Sequence, residues 1–185
     1  MRGATVLHAA GIAGSLAAVI AGSALVLHGV DAIPGLLTGD GKGIVRYESI
    51  EGVERAFGER LALPAFFPDT LRWPPDAVRF HAAPPVAVAL SFAGRDGQAD
   101  RLAIFQARGA RASIPIQLMP AGRVLHRVAV PVNEGEATLY RVQMPDGSMR
   151  NDFVWHRDDV ALALRYAGPA DELLSIALSV RWRRR

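Results

Sequence analysis

From Gly3 to Val30 the chain carries no Asp, Glu, Lys or Arg, and almost every position is apolar or small. As a helix rising about 1.5 Å per residue this run would extend about 42 Å, against a hydrocarbon core of about 30 Å. Residues 1–30 therefore read as a transmembrane signal anchor. A cleaved secretory signal has a shorter apolar region, about 7–15 residues, followed by a small-residue cleavage site. Gly22-Ser23-Ala24 offers such a site, but Leu25-Val26-Leu27 prolongs the run and no polar mature start follows. Ala10, Gly14, Ala18 and Gly22 recur every four residues. On a helix they form one small-residue stripe against which a second membrane helix can pack closely.

The pattern then changes. Residues 31–43, DAIPGLLTGDGKG, hold four glycines and one proline and read as a flexible linker. Ile50, Val53, Phe57 and Leu61 fall at helical spacing opposite Glu54, Arg55, Glu59 and Arg60, which predicts a helix from Ser49 to Leu61, capped by Ser49 and stopped by Pro64 and Pro68. Val86, Val88, Leu90 and Phe92 alternate with Ala87, Ala89 and Ser91, the period of a strand. With the turn Gly94-Arg95-Asp96-Gly97 and the returning run Leu102–Ala107 they predict a hairpin. Strands are also expected near 123–130, 136–144, 150–156 and 160–166. Pro145-Asp146-Gly147 and Arg157-Asp158-Asp159 are the turn signals between the last three. Pro169, Asp171 and Glu172 open a final helix with Leu173, Leu174, Ile176, Ala177 and Val180 on its apolar side. These elements predict an α+β domain over 44–181: one antiparallel sheet of about six strands with a helix at each end. A basic tail of residues 182–185 follows.

Charge changes the picture in one respect. The formal net charge is +3, yet four of the basic residues lie in Arg181-Trp182-Arg183-Arg184-Arg185. Between Ile44 and Val180 there are 15 basic and 16 acidic residues, so the body is near neutral. A nucleic-acid-binding body would spread basic charge over a face, and no nucleic-acid partner is expected. The tail is instead a candidate contact for anionic lipid or an acidic partner, since Arg clusters and Trp both favour the membrane–water interface. Lys42 is the sole lysine, a usage typical of GC-rich bacterial genes.

Candidate chemistry is sparse. Cysteine is absent, which removes disulfides, thiolate metal sites and cysteine nucleophiles. His81, His126 and His156 fall in three separate strands or at their edges, without metal-ligand spacing. No Gly-x-Ser-x-Gly elbow or Walker motif occurs, and the Gly39-x-Gly41-x-Gly43 spacing is not that of a nucleotide loop. Asp158-Asp159 and Glu134/Glu136 fall in turns. No catalytic residue, cofactor, metal or small-molecule substrate is assigned, and the chain is expected not to be an enzyme. Phe66, Phe67 and Trp73, held among prolines, form a candidate partner surface; one of the two phenylalanines is expected to close an end of the core.

The pieces LPAFFPDTLRWPP, VALSF, LAIFQ, FVWHRDDVALALRY and DELLSIALSV, spread over residues 64–181, follow one another in a familiar order. This part of the chain resembles a bacterial extracytoplasmic domain of unknown function found in single-pass membrane proteins, including the outer parts of some anti-sigma factors. The resemblance implies a folded domain outside the inner (cytoplasmic) membrane that meets another envelope protein. No zinc-binding or sigma-binding domain is expected upstream, and so no direct anti-sigma role. A short N-terminal tail before a first long apolar run commonly stays cytoplasmic, which places residues 31–185 outside. The function expected is that of a non-enzymatic, membrane-anchored binding or regulatory module. The alternative is a structural accessory subunit whose small-residue helix packs within a larger membrane complex.

Overall fold

The computed structural model describes residues 43–109 and 113–182. Twelve elements follow in chain order: β1 (Ile44–Tyr47), α1 (Ile50–Phe57), β2 (Leu63–Pro64), β3 (Ala77–His81), β4 (Val86–Phe92), β5 (Leu102–Arg108), β6 (Arg123–Val130), β7 (Glu136–Gln143), β8 (Met149–Arg157), β9 (Val160–Tyr166), α2 (Ala170–Leu178) and β10 (Val180–Arg181). Eight strands make one antiparallel sheet in the order β1-β3-β4-β5-β9-β8-β7-β6, and β2 pairs with β10 in a separate two-strand ribbon. The sheet joins two meanders, β3-β4-β5 and β6-β7-β8-β9, along the pair β5–β9.

This corrects the expected fold class. The described chain is mostly β, with an eight-strand sheet in place of six strands. The helices do not stand at the two ends of the domain, because β1 precedes α1 and β10 follows α2. The two added sheet strands, β1 and β3, are only four and five residues long, too short for alternation to separate them from loop. The expected transmembrane helix over 1–30, with its stripe Ala10, Gly14, Ala18 and Gly22, lies outside the described residues. Among the described residues no helix is long and apolar enough to cross a membrane.

The helices are short for local reasons. Ser49 caps α1 by accepting the Gly52 N–H at 3.1 Å. Gly58 ends it a turn earlier than expected: at φ +84° it takes the left-handed conformation and returns its N–H to the Glu54 carbonyl at 2.9 Å. Pro169 precedes α2 as its N-cap residue, and at the other end the Ser179 hydroxyl donates to the Ile176 carbonyl at 2.7 Å.

Alternation divides the central strands into two unlike faces. The front face carries Val88, Leu90 and Phe92 of β4, Leu102 and Ile104 of β5, and Leu162, Leu164 and Tyr166 of β9; with Val53 and Phe57 of α1 and Leu173 and Ile176 of α2 they form the main core. Burying each large side chain contributes about 1.5–3 kcal/mol. The back face carries Ala87, Ala89, Ala103, Ala107, Ala161 and Ala163, with Phe105 as the one large apolar side chain of these strands. Leu118, Ile114 and Met119 of the 113–122 connection pack against it.

Polar side chains on the front face tie connections to the sheet. Gln106 accepts the Ala62 N–H at 2.9 Å, so the chain leaving α1 is held over β5. Asn151 donates to the Gly168 carbonyl at 2.8 Å, and the Tyr166 hydroxyl donates to Glu172 at 2.6 Å. A Cβ at Gly168 would collide with the Tyr166 ring, so glycine lets the chain turn closely into α2. Burial, and then the hydrogen bond to Glu172, raise the Tyr166 hydroxyl above its ordinary pKa of 10.0.

A pH dependence follows. Above about pH 10 the unfolded chain loses the Tyr166 proton before the folded chain does, so stability falls as pH rises through that range. The urea midpoint of the full chain should hold up to about pH 10 and then drop more steeply than that of Tyr166→Phe. Parallel curves for the two proteins would contradict the arrangement at α2.

Candidate functional site

The proline-bounded segment from Leu63 to Pro75 is fixed to the end of α2. Leu63 and Pro64 pair with Arg181 and Val180. The Ala65 N–H donates to the Ser179 carbonyl and the Phe66 N–H to the Ser179 hydroxyl, each at 3.0 Å. Further along, the Arg72 N–H donates to the Ala93 carbonyl at 2.9 Å, and the Trp73–Pro74 peptide is cis. Backbone bonds at both ends thus set the direction of the aromatic side chains between them.

The three aromatic candidates separate. Phe67 turns inward against Phe92, with ring centroids 5.0 Å apart. Trp73 stacks over the same Phe92 at 5.8 Å and 22°, and meets Phe67 edge-on at 5.5 Å. Its outer face stays open: Trp73 is 58% exposed and Phe66 47%. Phe67 is therefore the phenylalanine that packs on the core, whereas Phe66 and Trp73 present apolar surface.

The fold then joins two candidates that the sequence kept apart. Trp73 and Arg181 line one groove of about 340 Å³, together with Ile50, Glu51 and Glu54 of α1, Arg60, Leu63 and Pro64. Arg181 arrives there because β10 lays it beside Leu63. Its neighbour Trp182 takes a different role. The indole packs edge-on against Trp155 at 5.2 Å and 80°, and the Arg157 guanidinium lies 5.6 Å from its ring centre. Trp182 thus belongs to the packing at the end of the domain. Arg183, Arg184 and Arg185 lie outside the described residues.

The histidines and carboxylates are dispersed. His81 shares a hydrogen bond with the Ala83 carbonyl at 2.9 Å on β3, while His126 and His156 sit on β6 and β8 opposite Arg141 and Glu136. Glu134 pairs with Arg157, and its carbonyl accepts the Trp155 indole N–H at 2.7 Å. Among the described residues no group of three His, Cys, Asp or Glu side chains could hold a metal ion.

Two surface features carry no distinguishing signal in the sequence. The edge strand β6 is exposed along nearly its whole length, with Val124, Leu125 and Val128 open to solvent and a bulge between Val124 and His126. Its residues alternate like those of any strand, and only its position at the sheet edge distinguishes them. The second feature is a cleft on the back face, whose lining comes from strands distant in the chain. No family model matches this chain, and neither a curated protein nor a solved structure does.

The placement of Trp182 is testable. Aromatic pairs contribute about 0.5–1.5 kcal/mol beyond their buried area. Trp182→Ala should lower the stability of the full chain by about 1–2 kcal/mol in urea titration. An unchanged midpoint would return the indole to solvent or lipid.

Proposed function

We propose that this chain is a non-enzymatic binding module that meets another envelope protein through the groove lined by Trp73 and Arg181 and through the exposed Phe66 of the same segment. The observation that carries the reading is the exposed indole of Trp73, backed on its inner side by Phe67 and Phe92. A large ring that is already oriented loses little freedom on binding, which is the property of the aromatic anchors that dominate protein interfaces. The groove beside it offers Ile50, Leu63 and Pro64 as an apolar floor, with Glu51, Glu54, Arg60 and Arg181 around them. That combination suits a peptide segment with an apolar side chain flanked by polar ones. The apolar run from Gly3 to Val30 supports anchorage at the bacterial inner membrane, with the folded domain outside the cytoplasm. The resemblance to an extracytoplasmic domain of single-pass membrane proteins points the same way.

The test uses the full chain in its native membranes. A photo-crosslinking residue placed at Phe66 or Trp73 should give one discrete protein adduct, and Arg181→Glu should reduce its yield. The same residue at Asp158, an exposed turn position, should give none. Equal labelling from Asp158, or no adduct from either aromatic position, would contradict the groove as the contact.

A further inference from the structure

The cleft on the back face has a volume of about 380 Å³, within the range of small-ligand sites. Its floor is Ala103 and Phe105 of β5, beside Ser91 of β4, and its walls include Leu118 and Met144. Three arginines also line it, Arg79, Arg150 and Arg165, with the carboxylates Asp100 and Asp146.

Two of these charges are already engaged. Arg165 grips Asp152 through Nε at 2.9 Å and Nη2 at 2.7 Å, and its Nη1 donates to the Pro120 carbonyl at 2.8 Å. Asp146 accepts from the Ser148 hydroxyl at 2.7 Å and the Ser148 amide at 2.9 Å. Those bonds, with Arg150 nearby, hold its carboxyl below the ordinary range. Asp100 stands on an exposed turn at φ +49°.

Arg79 differs. Its register partner on β4 is Ala89, so the long side chain lies over a floor of small residues. Its one hydrogen bond runs from Nη2 to the Ser91 hydroxyl at 3.4 Å, and its Nε is buried with no acceptor. Among the described residues it makes no ion pair. A guanidinium that has no carboxylate partner offers a planar fork matched by a planar, bidentate anion. Phe105, Leu118 and Met144 supply apolar surface in the same cleft.

We propose that this cleft binds a small carboxylate with a short apolar tail. The carboxylate sits on the Nη end of the Arg79 guanidinium and accepts from the Ser91 hydroxyl, and the tail lies on Phe105 and Leu118. This site is on the opposite face of the sheet from the Trp73 groove, so the two readings stand or fall separately.

Titration calorimetry of the full chain in a non-ionic detergent, with hexanoate as the probe, tests it. Hexanoate should bind saturably and hexylammonium should not. Arg79→Gln should weaken hexanoate about tenfold or more, the loss expected for a charge-assisted pair. Arg79→Lys should fall between, because it keeps the charge and loses the planar fork. If Arg79→Gln loses the wild-type circular dichroism, Arg79→Lys and Ser91→Ala carry the test, and each must weaken hexanoate. Absence of hexanoate binding, equal binding of hexylammonium, or undiminished binding by the folded variants would overturn the proposal. Inorganic phosphate binding as tightly as hexanoate would overturn it too, since the apolar wall would then contribute nothing.

Discussion

The pairing of β5 with β9 holds this fold together. The two strands are separated in the chain by three other strands and a long connection, yet they match over seven residue pairs from Leu102↔Tyr166 to Arg108↔Val160. Each pair on the front face puts bulk beside bulk, as in Ile104↔Leu164, and each pair on the back face includes an alanine, as in Ala107↔Ala161 and Phe105↔Ala163. A one-residue slip would turn the leucines to the back and the alanines to the helices. The register is therefore set by side-chain size as well as by hydrogen bonds, and both helices pack only where the bulk faces them.

The Trp73 groove and the back-face cleft both take their positions from this seam. On the front, the sheet seats α2, and Ser179 at its end holds the segment that carries Phe66 and Trp73. On the back, Ala103 and Phe105 of β5 and Arg165 of β9 line the cleft in which Arg79 lies. Small residues leave room on that side for a ligand. The buried pair of Arg165 and Asp152 closes one part of the wall, because each charge is satisfied by the other. The sheet keeps the Trp73 groove and the Arg79 cleft on separate faces.

Much of the strand pattern was legible where alternation ran for seven residues or more. β4, with Val86 to Phe92, and the β8–β9 hairpin around Asp158-Asp159 show it clearly. The short strands were not legible: Val78 and Phe80 of β3 follow two prolines and complete only two periods, and β1 was hidden beside the glycine-rich linker. The candidate surface was half legible. Prolines flagged Phe66, Phe67 and Trp73, but which ring turns inward depends on Phe92, which is remote in the chain. The meeting of Trp73 with Arg181 depends on a two-residue ribbon that leaves no periodic trace. Trp182 looked like a tail residue because its partner, Trp155, is also distant in sequence. Arg79 carried no signal in the sequence, since its lack of a carboxylate partner is a property of the assembled back face.

Native-state hydrogen exchange tests the seam most directly. If β5–β9 unites the sheet, the amides of β3–β5 and those of β7–β9 should exchange through one common opening, with a free energy equal to global unfolding. Distinct opening free energies for the two meanders, with the β5 and β9 amides exposed in the easier one, would show that each meander is stable without the other and would contradict the seam's role.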